Sequence, residues 1–316
     1  MRRVVVTGMG GISPLGSDWQ TVEKRLRAGR SAITVMNEWL DIDGLDTSLG
    51  APVTDFAAPA HYTRKRSRSM GRVALMAVRA AEIALEDAGL LDDKEICSGN
   101  MGVSFGSSSG SPPAIMEFAK MLFQRSTEGV NGTTYVRMMG HTAAVNIGVF
   151  FGLTGRIIPT SSACTAGSQG IGYAYEAIRS GQQDMMIAGG AEELCASQAA
   201  VFDTLYATST MNDRPESTPR PFDKDRDGLV LGEGAGALIL EEREHALARG
   251  AHIHAELVGF ATNSDGLHIT RPNHATMARC IQRALDDAKL DASPIGYVNA
   301  HGTATEFGDI AETNAT

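Results

Sequence analysis

Cys164 and His301 are the side chains best suited to covalent chemistry, and each stands in a segment built to present it. Cys164 falls within IIPTSSACTAGSQGIGYAYEAIRSG, where a short β-prone run, Ile157–Thr160, enters a turn of small residues. A Gly- and Ala-rich helical stretch from Ala166 to Ser180 follows at once. A thiol at such a corner faces the positive end of the helix dipole and its unpaired N–H groups, which favour thiolate over thiol. His301 lies in NAHGTATEFGDIAE, where the β-prone run IGYV delivers it into a Gly/Thr-rich turn and Thr303 and Thr305 add hydroxyls. A cysteine with a histidine far along the chain is the pattern of a thiol enzyme whose partners meet only in the fold. A lone cysteine is more often a small buried apolar residue, so the company it keeps gives Cys164 its meaning.

Strands and helices must alternate to hold these two turns. Arg3–Thr7, Met101–Phe105, Met185–Ala188 and Ala235–Leu240 read as strands, and Ala255–Phe260 and Tyr297–Ala300 as strands flanking a helix at Met277–Ala288. Gly71–Ala88 carries Val73, Met76, Ala77, Ala80, Ile83 and Ala84 at spacings of three and four, which predicts an amphipathic helix. Thr142–Phe150 reads as another helix, and a charged one ends at Arg249 before Gly250. This βαβ rhythm predicts an α/β fold of layered sheets with helices between and outside them.

The 316 residues suffice for a large core or two fused domains. No apolar stretch reaches the ~20 residues that cross a bilayer. In MRRVVVTGMGG the apolar part is only Val4–Val6, well short of the roughly 7–15 residues of a signal peptide's core, so it reads as a first strand of a cytoplasmic protein. Cys97, Cys164, Cys195 and Cys280 are widely separated with no CxxC pair, which argues against a disulfide framework or a zinc site. A net charge of −9 argues against nucleic-acid binding. HYTRKRSRSMGR runs against that charge, with Arg64, Lys65, Arg66, Arg68 and Arg72 close together; alone, such a run is more often a solvated face.

Three further patterns fail on inspection. DKDRDG from Asp223 begins like a calcium loop, but its twelfth position is Gly234, with Glu233 one residue short, so it reads as a salt-bridged turn and not a metal site. Gly8, Gly10 and Gly11 follow a strand, yet the third glycine of a dinucleotide fingerprint would fall on Ser13, with Pro14 after it. His141, in MMGHTAAV, reads as a helix-start histidine satisfied locally.

Taken together, RRVVVTGMGGISPLG, the Cys164 segment, AGGAEE (188–193), RPFDKDRDGLVLGEGAGALILEE from Arg220 and the His301 segment resemble the β-ketoacyl-acyl-carrier-protein synthases, of the synthase II type. The resemblance runs from Arg3 to Glu312. It implies the thiolase fold, layered α/β/α/β/α from two similar halves, here residues 1–250 with the nucleophile and 251–316 as the start of an incomplete second half. It implies an acyltransferase that performs a decarboxylative Claisen condensation in fatty-acid or polyketide synthesis. Cys164 would carry the acyl group and His301 would hydrogen-bond the malonyl thioester oxygen. Thr303 and Thr305 match positions that hold the pantetheine arm, Thr270 a position near its tunnel, and Asp309 and Glu312 an ion-pair network.

The same resemblance assigns Arg64, Lys65, Arg66 and Arg68 to docking an acidic acyl carrier protein, whose phosphopantetheine bears the substrates, with no other cofactor. It implies a homodimer, or a heterodimer with a related subunit, formed through Thr133–Thr160. HYTRKR, MMGH, SSACTAGSQGIGYA and AEELCASQAAVFDTLYATS are similar to synthases of aryl-polyene clusters. Family members continue well past the HGT motif, with a lysine, a second histidine and a Gly-Phe-Gly loop, so the 316-residue form is expected to be inactive or severely impaired in condensation. A non-catalytic, chain-length-factor-type subunit is the competing reading. Such subunits usually lack the nucleophilic cysteine, and Cys164 is present.

Overall fold

In the computed structural model, which describes every residue except 269, 292 and 294, nine strands follow one another. They are β1 (Val4–Ile12), β2 (Thr34–Val35), β3 (Leu49–Ala51), β4 (Met101–Gly106), β5 (Ile157–Thr160), β6 (Met185–Glu192), β7 (Leu231–Gly232), β8 (Gly234–Glu242) and β9 (Ala255–Leu257). The chain forms two compact units. The first comprises Met1–Glu23, Val53–Glu193 and Glu233–Leu257 and holds a six-stranded sheet of order β5-β4-β6-β8-β1-β9. β4 runs parallel to β5 and β6, whereas β8 is antiparallel to β6 and β1, and β9 to β1. All six residues of β4 are buried, as an apolar strand covered on both faces must be.

Helices of this unit pack on the sheet, Arg72–Asp87 against β1 and β8, Ala166–Arg179 against β6 and β4, and Thr142–Phe151 against β4 and β5. The first is buried on nearly every side, not on one stripe; Val73, Ala74, Met76, Ala77, Val78, Ala80, Ala81, Ala84 and Leu85 are all inside. The glycines of β1 serve this packing. A Cβ on Gly10 would stand 2.7 Å from Ala84 N, and one on Gly8 2.8 Å from Ala88 Cβ, so strand and helix backbones approach as only glycine permits. Those glycines also carry β1 on to Ile12, past the expected end at Thr7, paired with β8 through an irregularity between Val6 and Gly8.

The second unit comprises Lys24–Pro52, Leu194–Gly232 and Val258–Thr316. Its small sheet has the order β2-β3-β7. Buried Asp203, at the end of helix Ala196–Asp203, accepts the N–H groups of Asp46 and Thr47 and the Thr208 hydroxyl. Helices His274–Ala288 and Glu306–Ala315 pack on each other. Two strand expectations need correction. β9 ends at Leu257, and the Phe260 N–H is given to the Asp287 carboxylate at 3.1 Å instead of to a ladder. Tyr297–Ala300 has no ladder neighbour among the described residues, and Tyr297 is 79% exposed. β-prone side chains specify an extended backbone, but a strand also needs a partner for its N–H and C=O groups. Among the described residues, no helix is long and apolar enough to cross a membrane.

Candidate active site

At the end of β5 the Thr160 carbonyl accepts Ser107 N–H, while the Thr160 hydroxyl donates to Ala166 O at 2.7 Å and ties strand to helix. The backbone then turns sharply. Ala163 takes φ +50°, a left-handed conformation that costs a non-glycine residue about 1–2 kcal/mol. Cys164 is the next residue, in a 3-10 turn at Ala163–Thr165, immediately ahead of helix Ala166–Arg179. Strain at one residue of a tight strand-to-helix corner is a recurring means of presenting a nucleophile. Cys164 is exposed. Thr165, at the N-cap, does not cap the helix; its hydroxyl donates to Ser162 O instead. The glycines of this helix set how close it lies to the sheet: a Cβ on Gly170 would stand 2.7 Å from Gly189 O.

Around the corner, the Ser161 hydroxyl donates to Ser108 O and Ser162 to Gln169 Oε1. Glu192 at the end of β6 accepts Ser108 N–H at 2.8 Å and the hydroxyls of Ser107 and Ser109, so a carboxylate fixes the loop after β4. The other cysteines are placed differently. Cys97 donates to Phe151 O, and burial pushes the Cys280 thiol up. Cys195 also stands at a helix start, as the N-cap of helix Ala196–Asp203. It is half-buried, accepts the Ser197 hydroxyl, and has ordinary extended backbone.

In the second unit, His301 occupies a turn hung from helix Glu306–Ala315 by two carboxylates. Glu312 accepts His301 N–H at 2.6 Å and Gly302 N–H at 2.8 Å. Asp309, buried, accepts Ala304 N–H at 3.0 Å and Phe222 N–H at 2.6 Å, and Arg226 Nε lies 3.3 Å from its Oδ2. Gly302 and Ala304 are both left-handed, at φ +54° and +58°. Thr305 caps the helix by accepting Gly308 N–H, and its hydroxyl meets that of Thr303 at 2.9 Å. Gly308 makes room for both: a Cβ there would stand 2.5 Å from Thr305 Oγ1. His301 is exposed. Thr270 donates its N–H to His268 Nδ1; its neighbour Ile269 is outside the described residues, and Arg271 stacks over Phe307 with 5.1 Å to the ring centroid.

Arg64, Lys65 and Arg66 form a short helix, Arg64–Ser67, with Arg68 beyond it. All four cations are exposed, and Arg66 is also engaged within the first unit, its guanidinium 3.7 Å from the Phe150 ring centroid and donating to Phe150 O. In the DKDRDG turn the carboxylates have local tasks: Asp223 accepts Asp225 N–H, and Asp227 accepts the Ser209 hydroxyl and Thr210 N–H. A 490 Å³ cavity lined by His61, Arg79, Glu82, Lys94 and Phe151, among others, includes neither Cys164 nor any residue of the His301 turn.

Sequence motif could reveal Cys164, His301 and the two carboxylates. Arg226 and the left-handed Ala163 carried no readable signal, because one depends on a distant partner and the other lacks the glycine that would mark its backbone.

A family model described as the N-terminal domain of β-ketoacyl synthase matches residues 1–246, and one described as the C-terminal domain matches residues 254–316. A 3-oxoacyl-[acyl-carrier-protein] synthase 2 of Vibrio cholerae serotype O1 is 40% identical over 314 residues, covering 98% of this chain and 75% of the relative. The crystal structure of a β-ketoacyl synthase from Burkholderia phymatum STM815 shares 59% identity, with a TM-score of 0.98 over 100% of this chain and 77% of that one. A type II PKS acyl-carrier protein in complex with its ketosynthase bound to the hexaketide gives 33% identity and a TM-score of 0.83 over 99% and 76% of the two chains.

Proposed function

The chain belongs to the β-ketoacyl synthase family and has its thiolase fold, and on that premise we propose that it joins acyl and malonyl units by decarboxylative Claisen condensation. The acyl thioester arrives on the phosphopantetheine of an acyl carrier protein, and the chain needs no cofactor of its own. Cys164 Sγ attacks the thioester carbonyl, with a backbone N–H of the Cys164 turn as the donor proposed for the oxyanion. The pantetheine sulfur leaves with the proton that the cysteine gives up. Malonyl-carrier protein then enters and loses carbon dioxide. His301 donates a hydrogen bond to the thioester oxygen as the enolate forms. The carbanion attacks acyl-Cys164, the C–S bond breaks, and the thiolate is restored. Two simpler steps replace one difficult step, and ping-pong kinetics follow.

The observation that carries this reading is the exposed Cys164 at a strained strand-to-helix corner, beside a helix whose N-cap side chain is turned away. A non-catalytic subunit would have no need of it. Thr303 and Thr305, with hydroxyls 2.9 Å apart, are suited to the pantetheine arm, and Thr270 to its entrance. Arg64, Lys65 and Arg68 are the docking charges for an acidic carrier protein, with Arg66 stacked on Phe150 as their anchor. A related subunit, identical or not, pairs along the sheet edge at β5, where Ile157 is 42% exposed, and the neighbouring helix Thr142–Phe151, where Val149 is 72% exposed.

Limited iodoacetamide treatment near neutral pH followed by peptide mapping tests the nucleophile. Cys164 should be labelled first, ahead of half-buried Cys195 and Cys280. Faster labelling of Cys97, Cys195 or Cys280 would remove Cys164 from the mechanism.

A further inference from the structure

We infer that Arg226 is a positioning residue for His301, acting through Asp309 on the backbone of the His301–Thr305 turn. The inference rests on the catalytic reading of His301 given above. Arg226 lies in the DKDRDG segment, and its side chain is only 16% exposed. Its guanidinium spends every nitrogen on one small region. Nε donates to Thr305 O at 3.3 Å and faces Asp309 Oδ2 at the same distance; Nη1 donates to Asp223 O at 2.9 Å and Nη2 to Glu306 O at 3.3 Å.

The electrostatics make the placement informative. A cation at the first turn of a helix opposes the helix dipole and is disfavoured there. Arg226 sits against the first turn of Glu306–Ala315, so general helix stabilisation does not explain it. Asp309 does: its side chain is 2% exposed and carries a charge that needs a partner. What Asp309 holds is the turn. It accepts the N–H of Ala304, whose left-handed backbone is the strained point between His301 and Thr305, and the N–H of Phe222, also left-handed at φ +64°. Glu312, three residues further along the same helix, accepts the N–H groups of His301 and Gly302. The turn therefore hangs from two carboxylates on one helix, and Arg226 fixes the buried one together with the carbonyls where turn becomes helix. Lysine could match the charge but not a planar fork that reaches four acceptors.

The test compares Arg226→Gln, Arg226→Lys, His301→Ala and the double variant Arg226→Gln/His301→Ala in the full chain. Two half-reactions are followed: transfer of an acyl group to Cys164, and decarboxylation of malonyl-carrier protein. Arg226→Gln should lower kcat for decarboxylation about tenfold to a hundredfold, the scale of a misplaced catalytic group. KM and Cys164 acylation should stay within about twofold. Arg226→Lys should fall between Arg226→Gln and wild type, which also covers the case in which the glutamine variant folds poorly. In the His301→Ala background, Arg226→Gln should cost nothing further in decarboxylation, because groups that act as a unit are not additive. A purely structural role would slow both half-reactions alike, or add its full loss on top of His301→Ala; either result overturns the inference. If His301→Ala itself leaves decarboxylation unchanged, the catalytic reading of His301 falls first. If His301→Ala abolishes it while both Arg226 variants match wild type, only the positioning role falls.

Discussion

At the end of helix Arg72–Asp87, a Cβ on Gly8 would stand 2.8 Å from Ala88 Cβ, and the Asp87 carboxylate accepts Met9 N–H at 2.9 Å. At the end of helix His274–Ala288, a Cβ on Gly259 would stand 2.8 Å from Ala288 Cβ, and Asp287 accepts Phe260 N–H at 3.1 Å. Both helices close with a left-handed residue, Gly89 at φ +69° and Lys289 at φ +57°, and then a leucine N–H returned to the leucine five residues earlier. The local construction is the same, but the surroundings are not. The first helix is almost wholly buried, whereas the second has no fully buried residue. A glycine against a helix, an aspartate at the helix end and a left-handed stop are short-range devices that ALEDAGL and ALDDAKL both encode. Burial depends on what else packs there, which no single segment carries.

Substitution of the paired glycines should separate the two regions most. Gly8→Ala forces a side chain into a helix enclosed on all sides, and should cost about 3 kcal/mol, the upper range for overpacking. Gly259→Ala meets a similar contact on an exposed helix that can shift, and should cost about 1 kcal/mol. Hydrogen exchange of each helix reads the two effects separately, and equal losses would show that coverage does not govern them.

A smaller contrast lies at the helix stops. Gly89→Ala should destabilise by about 1 kcal/mol, while Lys289→Gly, which relieves a left-handed L-residue, should stabilise by about 0.5–1 kcal/mol. Urea midpoints of the two variants moving in the same direction would contradict this.

How much of the molecule could be read from sequence divides along the same line. The strand-to-helix corner at Cys164 was legible because the β-prone run Ile157–Thr160 gives way, after a turn of small residues, to a Gly- and Ala-rich helical stretch. The left-handed Ala163 was not, since nothing in an alanine marks it. The glycines of β1 could be excluded as a dinucleotide fingerprint, yet their use against Ala84 and Ala88 depends on a helix far along the chain. Arg66 reads as one of four docking cations, and its seat on Phe150 is a tertiary fact. Asp309 and Glu312 were recognised from the motif, but the backbone N–H groups they hold were not.

The smallest predicted effect is a pH dependence confined to the first unit. His245 is buried enough to be pulled down, but its hydrogen bonds to Glu241 at 2.5 Å and Glu95 at 3.1 Å outweigh burial and raise its pKa. Arg249 also donates to Glu241 from Nε and Nη2, so the carboxylate stays charged and paired when the imidazole is neutral. A raised histidine gives its full stabilisation below its unfolded value near 6.5 and loses it as pH climbs through the folded value. First-unit protection should therefore fall by less than about 1 kcal/mol between weakly acidic and mildly alkaline pH, with the second unit unaffected. His245→Gln should flatten the slope; an unchanged slope would assign the dependence to another group.

The most direct measurement is intact-mass spectrometry of the full chain through one turnover. Mixed with an acyl-carrier protein, the protein should gain the mass of one acyl group, located to Cys164 by peptide mapping. Addition of malonyl-carrier protein should remove that mass and release a β-ketoacyl product, and in His301→Ala the acyl group should persist. An acyl group on another residue, or one that leaves Cys164 as fast in His301→Ala as in wild type, would contradict the division of labour between the two turns.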